Sequence, residues 1–292
     1  MGVEVTFYDD PAVFAELAEP LLAADPLSTT VIGTVARITA DSRSRGEVSE
    51  RSEWWALVRE DGVLASAAML AEGGRAVGMF AGPMSDRAAH AIAGALLDRG
   101  EIPVGVNGAL PAARLIADRL AAATGRAVGV LQRSRLHLLG ELIEPAGIPG
   151  RARLARIEDV EVVRPWLEVF EAEAAIQAGR DDPGPETVPA TSVVRLVEQE
   201  RLWVWEHEGQ VVHATGHNPP VHGVARIAPV YTPPDFRGKG FAKGCVAAVS
   251  RHLTDRGLQV CLYTDLDNQT SNHVYATLGF MPFVDQADHV FL

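Results

Sequence analysis

Residues 231–242 read YTPPDFRGKGFA. Pro233 and Pro234 carry no backbone N–H, so a strand arriving through VARIAPVYT (224–232) must leave its ladder there and turn. Beyond the turn, Phe241, Cys245, Val249 and Leu253 recur every four residues as one apolar helical face, which Gly257 can end. Gly238 to Ala242 therefore fall at a helix N-terminus. Small residues there let successive N–H groups converge on an anion, and the helix dipole adds partial positive charge, so the loop suits a phosphate or pyrophosphate. The glycines run Gly-x-Gly-x-x-x-Gly (Gly238, Gly240, Gly244), and Ala242 and Lys243 do not complete a P-loop. ATP and dinucleotides are therefore disfavoured. A tight strand-to-helix turn with no ligand remains the alternative for the loop alone.

Working outward, RLWVWEHEGQVVHATGH (201–217) is a hairpin around Glu208-Gly209. LQVCLYTDL (258–266) is a further strand, and MPFVDQADHVFL (281–292) carries the last strand residues. Ser271 can cap the helix NHVYATL (272–278), and Gly279 can close it. The order is strand, strand, strand, helix, strand, helix, strand. The N-terminal half repeats it: a hairpin WWALVREDGVLASAAML (54–70), a strand RAVGMFAG (75–82), a helix in 86–100, a strand IPVGV (102–106), a helix in 110–125, and a strand RAVGVLQRSRLHLL (126–139). Internal duplication follows, with Gly62 matching Gly209 and Asn107 matching Asn268. Pro145, Gly147, Pro149 and Gly150 mark the junction. The expected domains are 1–145 and 150–292.

With 292 residues and 47% hydrophobic content, two buried cores are affordable. No apolar run reaches the roughly eighteen residues that span a bilayer, and the N-terminus lacks a signal-peptide pattern, so a cytoplasmic protein without membrane partners is expected. Gly2 and Thr6 fit a myristoylation pattern, but an ordinary first strand explains them better. Net charge is −12, which repels nucleic acid and attracts cationic small molecules. Cys245 and Cys261 sit in apolar patterns as buried thiols. His213 and His217 stand on a strand, where four residues separate side chains by about 13 Å, too far to share one zinc, so no metal is expected. Trp203 and Trp205 alternate with Leu202 and Val204, as in a strand packed on both faces.

The segment DNQTSNHVYATLGF (267–280) completes the pattern. With Arg237-Gly-Lys-Gly-Phe-Ala242 before it, the sequence resembles the GNAT-type N-acetyltransferase superfamily. The loop matches that family's acyl-CoA loop. Asn268, Ser271, Tyr275, Gly279 and Phe280 match its Asn-x-x-Ala/Ser-x-x-x-Tyr-x-x-x-Gly-Phe block. The resemblance covers about residues 150 to 292. The N-terminal half shares only the element order, as in two-copy members of the superfamily where one copy is degenerate. The implied fold class is α/β, two tandem GNAT-like domains, each a mixed, mostly antiparallel twisted sheet flanked by helices.

The resemblance implies acetyl-CoA as acyl donor and an amine of a small molecule or peptide as acceptor, joined by direct attack in a monomer or homodimer. Backbone groups of Arg237, Gly238, Lys239, Gly240, Phe241 and Ala242 would hold the pyrophosphate. Val230, Thr232, Asn268 and Ser271 would line the pantetheine path. Tyr275 would protonate the departing thiolate, for which a phenol is suited because its pKa lies near that of a thiol. Gly279 and Phe280 look structural. Many members carry an acid on the strand before the loop, and HGVARIAPVY (222–231) has none. Glu171, Glu173, His213, His217 or a water chain are the alternatives for the base. Acids at 171, 173, 181 and 182 favour a cationic acceptor. The missing strand acid leaves an inert acyl-CoA sensor or scaffold as the alternative function.

Overall fold

The computed structural model describes residues 2–47, 53–70, 78–177, 184 and 187–292. The chain runs β1 (Val3–Tyr8), α1 (Pro11–Ala24), α2 (Thr30–Ser44), β2 (Trp54–Glu60), β3 (Val63–Leu70), β4 (Met79–Ala81), α3 (Asp86–Asp98), β5 (Gly105–Ala109), α4 (Ala112–Thr124) and β6 (Val128–Leu139). It continues with β7 (Arg151–Leu154), α5 (Val160–Gln177), α6 (Ala190–Glu198), β8 (Leu202–His207), β9 (Gln210–His217), β10 (Val224–Tyr231), α7 (Phe241–Thr254), β11 (Gln259–Asp265), α8 (Gln269–Thr277) and β12 (Phe280–Phe291). The second series repeats the first element for element. Each hairpin turn uses two successive left-handed residues, Asp61 and Gly62 in one and Glu208 and Gly209 in the other.

Two compact units result: residues 1–134 with 284–292, and residues 135–283. The N-terminal unit orders its strands β1-β2-β3-β4-β5-β12, all antiparallel except β4 with β5. Its β2 is buried on both sides. Trp54, Ala56 and Val58 face the core under α3 and α4, while Trp55 and Leu57 join Phe14 and Ile32 under α1 and α2. Gly105 lets β12 lie against β5, since a Cβ there would stand 2.5 Å from the His289 carbonyl oxygen. Strand 126–139 was expected wholly in the N-terminal half; residues 126–134 do belong to that unit and residues 135–139 to the C-terminal one, while residues 284–292 of the chain's end join the N-terminal unit, where β12 pairs with β5. The expected boundaries, 1–145 and 150–292, cut the chain once, whereas the compact units draw on it in three pieces.

The C-terminal unit orders β11-β10-β9-β8-β7, with β6 beside β11 and only β10 and β11 parallel among the registered pairs. Ala225, Ile227, Val246, Val249, Leu262 and Tyr275 form the core under α7 and α8. Val163, Val193, Leu202, Val204 and Ala214 form the core under α5 and α6. Arg153 pins the start of α5 to the sheet edge through Asp159 at 2.7 Å and Glu206 at 2.8 Å. Each unit thus has the mixed, mostly antiparallel, helix-flanked sheet that the sequence implies.

Several local readings change. No helix was assigned to residues 11–44, although Asp10 caps α1, its Oδ1 accepting from the Ala12 N–H at 2.8 Å, and Pro11 opens it. No strand was assigned to residues 151–154, where β7 runs along β8. The cap of α8 is Asn268, not Ser271, whose N–H donates to the Asn268 Oδ1 at 3.0 Å. Asn107 is not the counterpart of Asn268, because it stands mid-strand in β5, five residues before α4. Residues 75–77 of one expected strand lie outside the described residues.

Trp205 explains the third glycine of the loop motif. Its indole is seated over α7, stacked on Phe241 with ring centroids 6.5 Å apart, and its Nε1 donates to the Pro149 carbonyl at 2.9 Å. A Cβ on Gly244 would stand 2.6 Å from the ring. Gly244→Ala should therefore cost about 1–3 kcal/mol through overpacking, read as a lower urea midpoint at constant m-value. An unchanged midpoint would mean that the indole moves aside freely.

Candidate acyl-CoA site

Strand β10 is interrupted where the site lies. Ile227 pairs with His217 and Val230 with Thr215, so three steps on β10 oppose two on β9, a bulge at residues 228–229. The parallel pairing with β11 runs from Val224↔Gln259 to Ile227↔Leu262 and stops, four residues before Tyr231 and three before Asp265. Pro229 has no N–H to extend it. Beyond the strand, a single 3-10 turn (Pro234–Phe236) leads to Gly238 and Gly240, both exposed and left-handed at φ 75° and 83°. Helix α7 starts at Phe241 with no side-chain cap and no acid in its first turn. Its leading N–H groups are therefore left for a ligand or water. A Cβ on Gly238 would meet nothing within 4 Å, and one on Gly240 would stand 3.4 Å from Ile148.

A polar clamp ties the loop to α5. The Arg237 Nε donates to the Thr232 carbonyl at 2.9 Å, its Nη2 pairs with the Glu173 carboxylate, and the Tyr231 hydroxyl donates to the same carboxylate at 2.8 Å. The guanidinium also lies 5.9 Å from the Tyr231 ring centroid. Burial, then the Glu173 carboxylate, pushes the Tyr231 phenol up to about 12. Glu173 is thus engaged twice, in structural contacts. The Glu171 side chain, Asp181 and Asp182 lie outside the described residues.

His213 is fully buried between two hydroxyls, with Nδ1 2.7 Å from the Thr232 Oγ1 and Nε2 2.6 Å from the Thr215 Oγ1. Burial pushes its pKa down to about 3, so the ring is neutral, donating from one nitrogen and accepting at the other. His217 hydrogen-bonds the Asn218 carbonyl at 2.9 Å, and burial lowers its pKa too. Both rings pack under α7 as structural groups, which argues against either as the base.

Helix α8 presents the second motif. Asn268 commits its amide oxygen to the cap. Asn272, which the sequence reading passed over, braces the turn. It accepts from the Thr264 hydroxyl at 2.6 Å and donates to the Asp265 carbonyl at 3.0 Å. Tyr275 lies in the core with Ile227 and Leu262, edge-on to Phe280 at 6.0 Å. Burial pushes its phenol well above the ordinary range, so it is protonated throughout the physiological range. Among the described residues none hydrogen-bonds its hydroxyl.

The N-terminal unit closes the equivalent position. Ser85 caps α3 by accepting from the Ala88 N–H at 3.1 Å and donates to Glu60 at 2.6 Å, and Asp86 occupies the first turn. Arg114 of α4 is exposed and paired with Asp118 at 2.8 Å.

Residues 166–280 match the acetyltransferase (GNAT) family. That match falls within the C-terminal unit. Similar proteins include mycothiol acetyltransferases of Rhodococcus opacus (31% identical over 199 residues, 62% of this chain) and Nocardia farcinica (27%, 61% of this chain). The chain spans 61% and 60% of the length of those relatives, less than two thirds. Among solved structures, a tandem GNAT protein from the clavulanic acid biosynthesis pathway covers 99% of this chain and is itself covered to 98%, with a TM-score of 0.56 at 16% identity. A GCN5-related N-acetyltransferase from Sphaerobacter thermophilus covers 98% with a TM-score of 0.58 at 18% identity, and 94% of that chain is matched. The GNAT fold thus extends over both units.

The neutral His213 makes stability pH-dependent. Below about pH 6.5 the unfolded chain protonates this ring while the folded one resists down to about 3, so stability is full above pH 6.5 and falls as the pH drops through that window. One such ring contributes a slope of up to about 1.4 kcal/mol per pH unit. His213→Gln should flatten the slope of unfolding free energy between pH 6.5 and 4 by about that amount, whatever its effect at pH 7. An unaltered slope would place the buried proton linkage elsewhere.

Proposed function

We propose that this chain is an acyl-CoA-dependent N-acetyltransferase, transferring an acetyl group from acetyl-CoA to an amine of a small molecule or peptide by direct attack. The observation that carries the reading is the coincidence of three openings in one unit. These are a β10–β11 ladder that stops at Ile227, an uncapped helix start behind two left-handed glycines, and a buried, protonated Tyr275 with no hydrogen-bond partner among the described residues. Acetyl-CoA, the acyl donor, supplies an activated thioester. The residues present fit it, because an open glycine loop at the head of α7 can take a pyrophosphate and the unpaired edges of β10 and β11 can take an amide-bearing arm.

In this reading the N–H groups of residues 238–242 hold the phosphates, with Arg237 and Lys239 beside them. Val230, Thr232, Asn268 and Ser271 lie along the arm; the Asn268 oxygen being spent on the cap, Asn268 can offer only its NH2 group. Tyr275 donates its proton as charge grows on sulfur. The amine must lose one proton as it attacks; Glu173 is clamped and both histidines are buried, which leaves Glu171, whose side chain lies outside the described residues, or water at the strand gap to carry that proton away. That engaged Glu173 also favours the second reading, an acyl-CoA-binding protein without turnover. Steady CoA release in the presence of amines decides for the enzyme.

Two variants test the site. Tyr275→Phe should lower kcat by about 10²-fold with little change in acetyl-CoA affinity, because its hydroxyl acts on charge present only in the transition state. An unchanged kcat would demote Tyr275 to packing. Gly240→Glu should abolish acetyl-CoA binding, since φ of 83° strains any side chain and the carboxylate repels phosphate. Calorimetry should find one equivalent of acetyl-CoA per wild-type chain and none in the variant; two equivalents would assign a site to the N-terminal unit as well.

A further inference from the structure

Arg226 precedes Ile227, the last residue of β10 paired with β11. Ala225 and Ile227 point into the core under α7 and α8, so alternation sends Arg226 to the opposite face, the one that carries Tyr231, Glu173 and α5. Its neighbour Asn218 presents its amide oxygen to the guanidinium, accepting from Nε at 3.1 Å and from Nη2 at 2.7 Å. The third nitrogen, Nη1, is shielded from solvent and has no hydrogen-bond partner among the described residues. The residue as a whole keeps a partly exposed margin, so the position can be reached from outside.

Among the described residues no carboxylate neutralises this group. The titratable side chains that act on it are Tyr263 and Cys261 of β11, a phenol and a thiol, and burial lowers its pKa. A shielded guanidinium without a counter-ion is costly unless an anion completes it. Asn218 fixes the plane of the fork and leaves one N–H edge aimed away from itself, the geometry in which arginine receives carboxylate or phosphate oxygens.

We propose that Arg226, oriented by Asn218, binds an anionic oxygen group of the acceptor, so that the acceptor is an amine that also carries a carboxylate or phosphate. The inference rests on the acetyl-transfer reading for the amine but not for the anion. It places the acceptor on the α5 face at the foot of the strand gap, with its anion on Arg226 and its amine directed up the gap. It also revises the cationic acceptor that the net charge suggests. Of the four acids that supported an ammonium partner, Glu173 is already held by Arg237 and Tyr231, and the other side chains lie outside the described residues. A zwitterion satisfies both the acidic surface and the buried arginine.

The test compares wild type, Arg226→Gln and Arg226→Lys on amino acids, their carboxamides and the matching aminophosphonates, read by thiol release from acetyl-CoA. Wild type should favour the anionic members by about 10–100-fold in kcat/KM, the range expected for a hydrogen-bonded charge pair. Arg226→Gln should reduce that preference to within about threefold while acetyl-CoA affinity, measured by calorimetry, stays within about twofold and certifies a folded site. Arg226→Lys should retain part of the preference. Carboxamides used as well as amino acids by wild type, or a preference that survives in Arg226→Gln, would overturn the proposal. The relative rates on carboxylates and phosphonates tell which anion is read. Thermal unfolding with acetate or inorganic phosphate, against chloride at equal ionic strength, reads the anion site independently of turnover. Stabilisation of wild type but not of Arg226→Gln, with no amine consumed, sinks the transferase reading and keeps the anion site; no stabilisation and no anion preference sinks the anion site.

Discussion

The β10–β11 ladder stops at Ile227, and the site is organised around that stop. A parallel strand pair inside a covered sheet normally satisfies every backbone group along its length. Here a bulge at residues 228–229 and the missing donor of Pro229 leave strand edges without partners close to the start of α7. Such a gap persists only where its surroundings are held firmly. Trp205 locks α7 through Gly244, Asn272 braces the turn after β11, and the Arg237–Glu173–Tyr231 clamp anchors the loop to α5.

Charge and burial distribute the roles of the titratable groups. Two histidines on β9 are pushed neutral by burial, and one of them spans Thr215 and Thr232 as a structural bridge. Tyr231 and Tyr275 are both raised by burial, yet they differ in what they touch: Tyr231 donates its proton to Glu173, whereas none of the described residues accepts that of Tyr275. The same burial acts against Arg226, a fixed cation for which Asn218 supplies two of the contacts and no carboxylate among the described residues supplies the balancing charge.

The two units repeat one series of elements and diverge at the helix start that follows the fourth strand. In the C-terminal unit that start is glycine-rich, exposed and free of a side-chain cap. In the N-terminal unit Ser85 fills the cap and Glu60 and Asp86 bring negative charge to the same position. An anion site and a sealed helix end are thus alternative uses of one backbone plan, decided by a few side chains.

Local signals along the chain determined a good deal by themselves. The apolar face of α7, the paired Gly62 and Gly209 turns, the proline stop after Tyr231 and the spacing of Gly238, Gly240, Asn268 and Tyr275 are all written in short windows, because caps, turns and helical faces depend on neighbours within a few residues. Tertiary structure alone decided the rest. That β12 pairs with β5, that Glu173 clamps Arg237, that Trp205 dictates Gly244 and that Arg226 has a nitrogen without a partner among the described residues all join residues distant in sequence or turn on burial. Periodicity tells which face of an element is apolar; it carries no information about which distant element meets that face, because pairing energy is read only once the chain has closed those loops.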